Sequence, residues 1–163
     1  MKKEEVIDLL RRSCALDENV SLPNGDVAEH LPVMDRLLED PIVTNRLLVE
    51  CFQGFDRGLE VQKKTKVILS FEEDGLFGFM AAAVGWCRFL YASKKGDGAE
   101  LGHGFVLNKG DGVVLALPVL YDASQIEPLI EIVNKAQAKV LGVICLANYS
   151  AEGEIGIPVS ALI

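Results

Sequence analysis

Cysteine and histidine are scarce in this chain, and cations are outnumbered. Four cysteines, Cys14, Cys51, Cys87 and Cys145, are scattered over 163 residues without a CxxC pair, and only two histidines could join them. A zinc site or a disulfide framework is therefore not expected, and a reducing, cytoplasmic setting is. Lys and Arg number 16 against 24 Asp and Glu, for a formal net charge of −8. That balance disfavours nucleic acid as a partner, because phosphate binding needs clustered cations. It also argues against an open site for a polyanion, unless a local basic loop overrides it. Long apolar runs are missing too. The longest uncharged run, Gly75 to Cys87, falls short of the roughly 20 residues of a membrane span. It reads as a core helix, and no membrane partner is expected. The opening MKKEEVIDLLRR alternates charged and apolar residues, without the continuous apolar run or cleavage site of a signal peptide.

What remains is apolar and glycine-rich. Half the residues are hydrophobic and 15 are glycine, which suits one compact α/β domain spanning 1–163. A helix is predicted over Lys3 to Cys14, then an irregular stretch with Pro23-Asn24-Gly25 as a turn signal. A second helix is predicted from Asp40 to Gly58, with Asp40 as N-cap and Pro41 at its first position. Alternation follows: a strand over Lys66 to Phe71, a helix over Leu76 to Trp86, a strand over Cys87 to Ala92, and a Gly-rich mobile loop over Ser93 to Gly104. A short strand is expected over Gly104 to Leu107. A strand over Val113 to Leu120, a helix over Ser124 to Ala138, a strand over Lys139 to Leu146 and an extended piece over Ile155 to Val159 complete the chain. Near-continuous apolar strands alternating with helices imply a mostly parallel sheet covered on both faces. Ligands in such sheets sit beyond the carboxyl ends of the strands, here Ser70 to Gly75 and Leu117 to Gln125.

Taken together, VIDLLRRSCAL, DRLLEDP (Asp35 to Pro41), GLFGFMAAAVGWCRFLYASKK (Gly75 to Lys95), NKGDGVV and the C-terminal AKVLGVICLANYSAEGEIGIPVSALI resemble, in order and spacing, the type I phosphoribosyltransferases. Orotate phosphoribosyltransferase is the member they resemble most. The resemblance implies an α/β fold of five or so mostly parallel central strands flanked by helices, under an N-terminal helical hood. It also implies a homodimer, because that family's mobile loop often works across a dimer interface.

The family's residues are mostly replaced. Its acidic pair, which binds the ribose hydroxyls of phosphoribosyl pyrophosphate, falls on Leu117 and Pro118. Its Thr- and Gly-rich phosphate loop falls on Tyr121, Asp122, Ala123, Ser124 and Gln125, with no glycine to admit an anion to the backbone. Its pyrophosphate loop falls on Ser70 to Gly75, where Glu72, Glu73 and Asp74 would repel pyrophosphate and only Gly75 fits. Its catalytic-loop cations and His leave Lys94, Lys95 and His103 as catalytic candidates.

Each candidate also has a plain structural reading. Asp122 and Ser124 could touch a ligand or cap a helix, and Ser124-x-x-Glu127 fits a capping box. Glu72, Glu73 and Asp74 could hold Mg²⁺, but they suit a solvated turn before a helix better, so no metal is assigned. Lys94, Lys95 and His103 sit in a polar loop, where exposure is the ordinary state. Tyr121 could stack on a base or fill the space left by absent ligand groups. Trp86 and Cys87 read as core.

Three functions follow. The first is a non-catalytic binding or regulatory protein of this fold, taking a small anionic or nucleotide-like ligand. The second is an active transferase rebuilt around Asp97 or Asp111, with Mg²⁺ needed only in that case. The third is a structural partner, homodimeric or joined to a true transferase.

Overall fold

The computed structural model describes residues 1–55, 58–96, 98–151 and 153–163. At its centre lies β3, Thr65–Phe71, whose TKVILSF sequence is buried apart from Lys66. Its side chains alternate between two apolar clusters. Val67, Leu69 and Phe71 face one, and Ile68 faces the other. Each fully buried Val, Leu or Ile of this kind contributes about 1.5–3 kcal/mol.

Strands β4 (Arg88–Lys95), β5 (Gly98–Leu101), β6 (Gly112–Ala116), β8 (Lys139–Ile144) and β10 (Val159–Ser160) complete a six-stranded sheet in the order β10-β8-β6-β3-β4-β5. The neighbouring strands pair in parallel, except that β5 runs antiparallel to β4. Helices α3 (Pro41–Gln53) and α5 (Gly75–Gly85) cover one face, and α6 (Glu127–Lys135) covers the other. Close approach is built into α5. A Cβ on Gly78 would lie 2.5 Å from the Ser70 hydroxyl and 2.6 Å from the Phe89 ring.

Local rules account for several boundaries. The Asp40 carboxylate accepts from the Ile42 and Val43 amides at 3.1 Å each, with Pro41 at the first helical position. Helix α1, Lys3–Arg12, buries Val6 and Leu10, and Glu5 accepts from the Lys2 amide at its start. The helix expected to run to Gly58 instead stops at Gln53, and α4 (Gly58–Lys64) starts anew.

Five expectations need correction. The irregular stretch after α1 is a hairpin of β1 (Leu16–Ser21) and β2 (Val27–Pro32), turning at Gly25 with φ +92°. The hood is thus helix plus hairpin. The Ser93 to Gly104 loop is largely the β4–β5 hairpin, while Gly104 to Leu107 forms no strand. Strand β6 ends at Ala116, because the chain bends through Leu117-Pro118. Val119–Leu120 (β7) then pairs with Ala147–Asn148 (β9) in a separate ladder. Finally, Trp86 is 93% exposed and α5 is buried on one side only. Among the described residues, no helix is long and apolar enough to cross a membrane.

Candidate functional site

At the carboxyl ends of β3 and β6 the chain makes two short 3₁₀ turns, Glu72–Asp74 and Ala123–Gln125. Between them, Leu117 is buried at 1% exposure and Pro118 is buried beside it. Their backbone is committed to the β8 side. The Leu117 amide donates to Ile144 O at 3.2 Å, and Pro118 O accepts from the Leu146 and Ala147 amides at 2.9 and 3.3 Å.

In the Tyr121–Gln125 loop the chain's own side chains meet the backbone amides. Tyr121 N–H donates to Gln125 Oε1 at 2.8 Å, and Gln125 N–H to Asp122 Oδ1 at 3.2 Å. Ala123 N–H donates at 3.0 Å to Oε1 of Glu154, whose Oε2 accepts from the Ala151 amide at 2.9 Å. Glu154 thus brings a carboxylate to the loop from 31 residues away in sequence. No local pattern marked it, and it was missed in the sequence. The capping residue is Asp122 rather than Ser124. Asp122 Oδ1 also accepts from the Ser124 hydroxyl at 2.6 Å, and Glu127 begins α6 without forming the expected box.

The acidic turn after β3 is tied to β4. Ser93 Oγ donates to Glu72 Oε2 at 2.7 Å, and Lys94 Nζ meets Glu73 Oε1 at 2.6 Å. Lys94 also lies 5.0 Å from the centroid of the Phe71 ring. These residues line a small cleft of about 290 Å³. Asp74 is the partly buried member of the trio. Burial first, and the charge of Glu73 second, raise its carboxyl to about 6, with Lys94 opposing. The Tyr121 phenol is raised by burial and then by Asp74, so the two turns face each other. Gly75 opens α5 behind them.

The hood closes on the same end. Asn24 Nδ2 donates to Tyr121 O at 3.4 Å, and the Tyr149 hydroxyl donates to His30 O. Lys95 and His103 stand apart from this cluster. Lys95 pairs with Glu100 across the β4–β5 hairpin at 2.7 Å. His103 is exposed at φ +47° and stacks edge-on against Tyr91, 5.9 Å between centroids. Asp111 lies at the opposite end of the sheet, before β6, where it holds Arg88 at 2.7 Å. At about 3.3 Å per residue it is about 20 Å from Leu117. Asp97 lies outside the described residues. Among the described residues, no group of three His, Cys, Asp or Glu side chains could hold a metal ion.

No protein-family model matches the chain, and no curated protein matches it in sequence. Solved structures do resemble it in shape. Orotate phosphoribosyltransferase from Aeropyrum pernix superposes with a TM-score of 0.74 at 17% identity, covering 96% of this chain and 92% of that one. The fold is that of the type I phosphoribosyltransferases. Adenine phosphoribosyltransferase from Saccharomyces cerevisiae superposes at 0.68 and 16% identity, covering 98% and 99%. Leishmania donovani UMP synthase superposes at 0.70 and 17% identity, covering 97% of this chain but 35% of its own longer chain. At these identities the likeness is one of fold.

Proposed function

We propose that this protein is a non-catalytic counterpart of orotate phosphoribosyltransferase, with a binding or structural role. One observation carries the reading: the amides of the Tyr121–Gln125 loop that would hold a phosphate are held by Gln125, Asp122 and Glu154 of the same chain. An incoming phosphate would have to displace a carboxylate already placed at the start of the turn, against the added repulsion of Asp122. Glu72, Glu73 and Asp74 add the same penalty where pyrophosphate would lie. A cytoplasmic location belongs to the same reading and is supported by four cysteines that carry no disulfide.

Titration calorimetry with phosphoribosyl pyrophosphate and Mg²⁺, followed by an orotate turnover assay, tests it. No binding at micromolar concentrations and no turnover are expected. Micromolar binding followed by turnover would overturn the proposal and make the protein a phosphoribosyltransferase with a rebuilt site, which could not use Asp111.

A homodimer accompanies this reading on a separate observation. Helix α5, GLFGFMAAAVG, contains no polar side chain, yet Leu76 and Phe79 are 64% and 60% exposed. Apolar helix faces of that kind are ordinarily covered by another surface.

A further inference from the structure

A larger cavity, about 700 Å³, opens at the amino ends of β3, β4 and β6, away from the turns described above. Its volume lies within the range of small-molecule sites, about 300–1,000 Å³. Lys63, Lys66, Arg88, Trp86, Asn108 and Asp111 are among its lining residues.

Two features set it apart. The first is Trp86, which ends α5 in the left-handed region at φ 52°, ψ 45°, with its indole 93% exposed. Helices ordinarily place Gly or Asn in that conformation, and a bulky residue there costs about 1–2 kcal/mol. The indole also forgoes burial. Local strain and full exposure of the largest side chain coincide at the rim of a cavity, which is a pattern of recognition sites.

The second feature is charge. The carboxylate of Asp111 is already engaged through Oδ2, which accepts from Arg88 at 2.7 Å and from the Asn108 amide and side chain at 3.0 and 3.3 Å. That arrangement fixes the Arg88 guanidinium at the cavity. Lys63 and Lys66 have no ion-pair partner among the described residues. Three cations against one carboxylate, itself paired with Arg88, make a local positive field in a protein of net charge −8. The carboxyl ends of the same strands are dominated by Glu72, Glu73, Asp74, Asp122 and Glu154, and their cations, Lys94 and Lys95, are paired with Glu73 and Glu100. Lys63 stands in the last turn of α4, where a cation complements the helix dipole. Lys66, on β3, has no such local reason to be there.

We propose that this cavity binds a planar heteroaromatic anion of nucleotide size, its ring stacked on Trp86 and its phosphate held between Lys63 and Lys66 beside Arg88. Stacking on an aromatic side chain and charge-assisted contacts to phosphate are the two interactions these residues offer.

Trp86 is the chain's single tryptophan, so indole fluorescence reads the site directly. The protein is titrated with adenosine monophosphate, uridine monophosphate, adenosine and inorganic phosphate, with calorimetry in parallel. Saturable quenching by at least one monophosphate is expected, with adenosine and phosphate each at least tenfold weaker. The double variant Lys63→Ala, Lys66→Ala loses at least tenfold in affinity, and Trp86→Ala does the same by calorimetry. Lys135→Ala, remote from the cavity, controls for net charge and leaves the affinity unchanged. The proposal fails if neither monophosphate quenches saturably at millimolar concentration, or if the double variant binds as the native protein does. It also fails if Lys135→Ala weakens binding equally, or if the emission follows protein concentration rather than ligand. None of these outcomes depends on whether phosphoribosyl pyrophosphate binds at the other end of the sheet.

Discussion

Asp74 shows how a single side chain can be at odds with its surroundings. Burial and the neighbouring Glu73 raise its carboxyl from 3.8 to about 6, so the fold prefers the protonated acid. A raised folded-state value gives a stabilising contribution that is complete below 3.8 and is lost as pH rises through about 6. At about pH 8 the ionised group therefore costs about 1–2 kcal/mol, after discounting for solvent on its open side. Asp74→Asn is expected to be more stable than the native protein by that amount in urea denaturation at about pH 8. The advantage should shrink as pH falls from about 6 toward 3.8. A difference that stays constant with pH would show that Asp74 titrates like an exposed carboxylate. The cap before α6 offers a second comparison. Asp122 accepts from both the Gln125 amide and the Ser124 hydroxyl. Asp122→Ala should cost about 1 kcal/mol, and Ser124→Ala clearly less. Equal losses would restore Ser124 as the cap.

At the level of elements, what was legible in the sequence depended on how local the cause was. Asp40-Pro41 announced the start of α3 because an N-cap and a first-position proline act within four residues. The apolar run of β3 announced a buried strand for the same reason. Strand β1 did not announce itself. LDENVS is mostly exposed, and its extended form comes from pairing with β2. Trp86 misled, because hydrophobicity suggests burial and only the bend out of α5 turns the indole to solvent. The candidate site divides along the same line. The apolar character of Leu117-Pro118 could be read directly, whereas Glu154 reaches the Tyr121–Gln125 turn through tertiary structure alone. That contact can be tested. Glu154→Ala removes the acceptor of two amides, Ala123 and Ala151, and should cost about 1 kcal/mol. Faster amide hydrogen exchange at Ala123 and Ala151 is expected, with β3 unaffected. Unchanged exchange at both amides would mean that water replaces the carboxylate without loss, and that Glu154 does not guard the turn.

Across the whole molecule, charge and apolar surface are distributed in opposite senses. Acidic groups gather at the carboxyl ends of the sheet, joined there by Lys94 and Lys95, unpaired lysines gather at the cavity by the amino ends, and between them Leu76, Phe79, Phe89 and Tyr91 make an uncharged patch on α5 and the middle of β4. In that patch Phe79 meets Phe89 edge-on at 6.2 Å, and Phe89 lies 6.2 Å from Tyr91. A twofold contact places each residue near the axis against its own copy, so a charged patch would repel itself and this one would not. Uncharged at its middle and rich in rings, the patch suits a second copy of the chain, with Leu76 and Phe79 near the centre of the contact. Light scattering should give twice the chain mass of 17.7 kDa at micromolar concentration. Phe79→Asp should weaken the dimer about a hundredfold or more, by removing about 2–3 kcal/mol of apolar burial and adding an unpaired charge. Because Phe79 is exposed in the single chain, the variant should keep its helical circular dichroism and thermal transition as a monomer. A native protein that is monomeric at all concentrations would remove the dimer, and the exposed face of α5 would then need another partner.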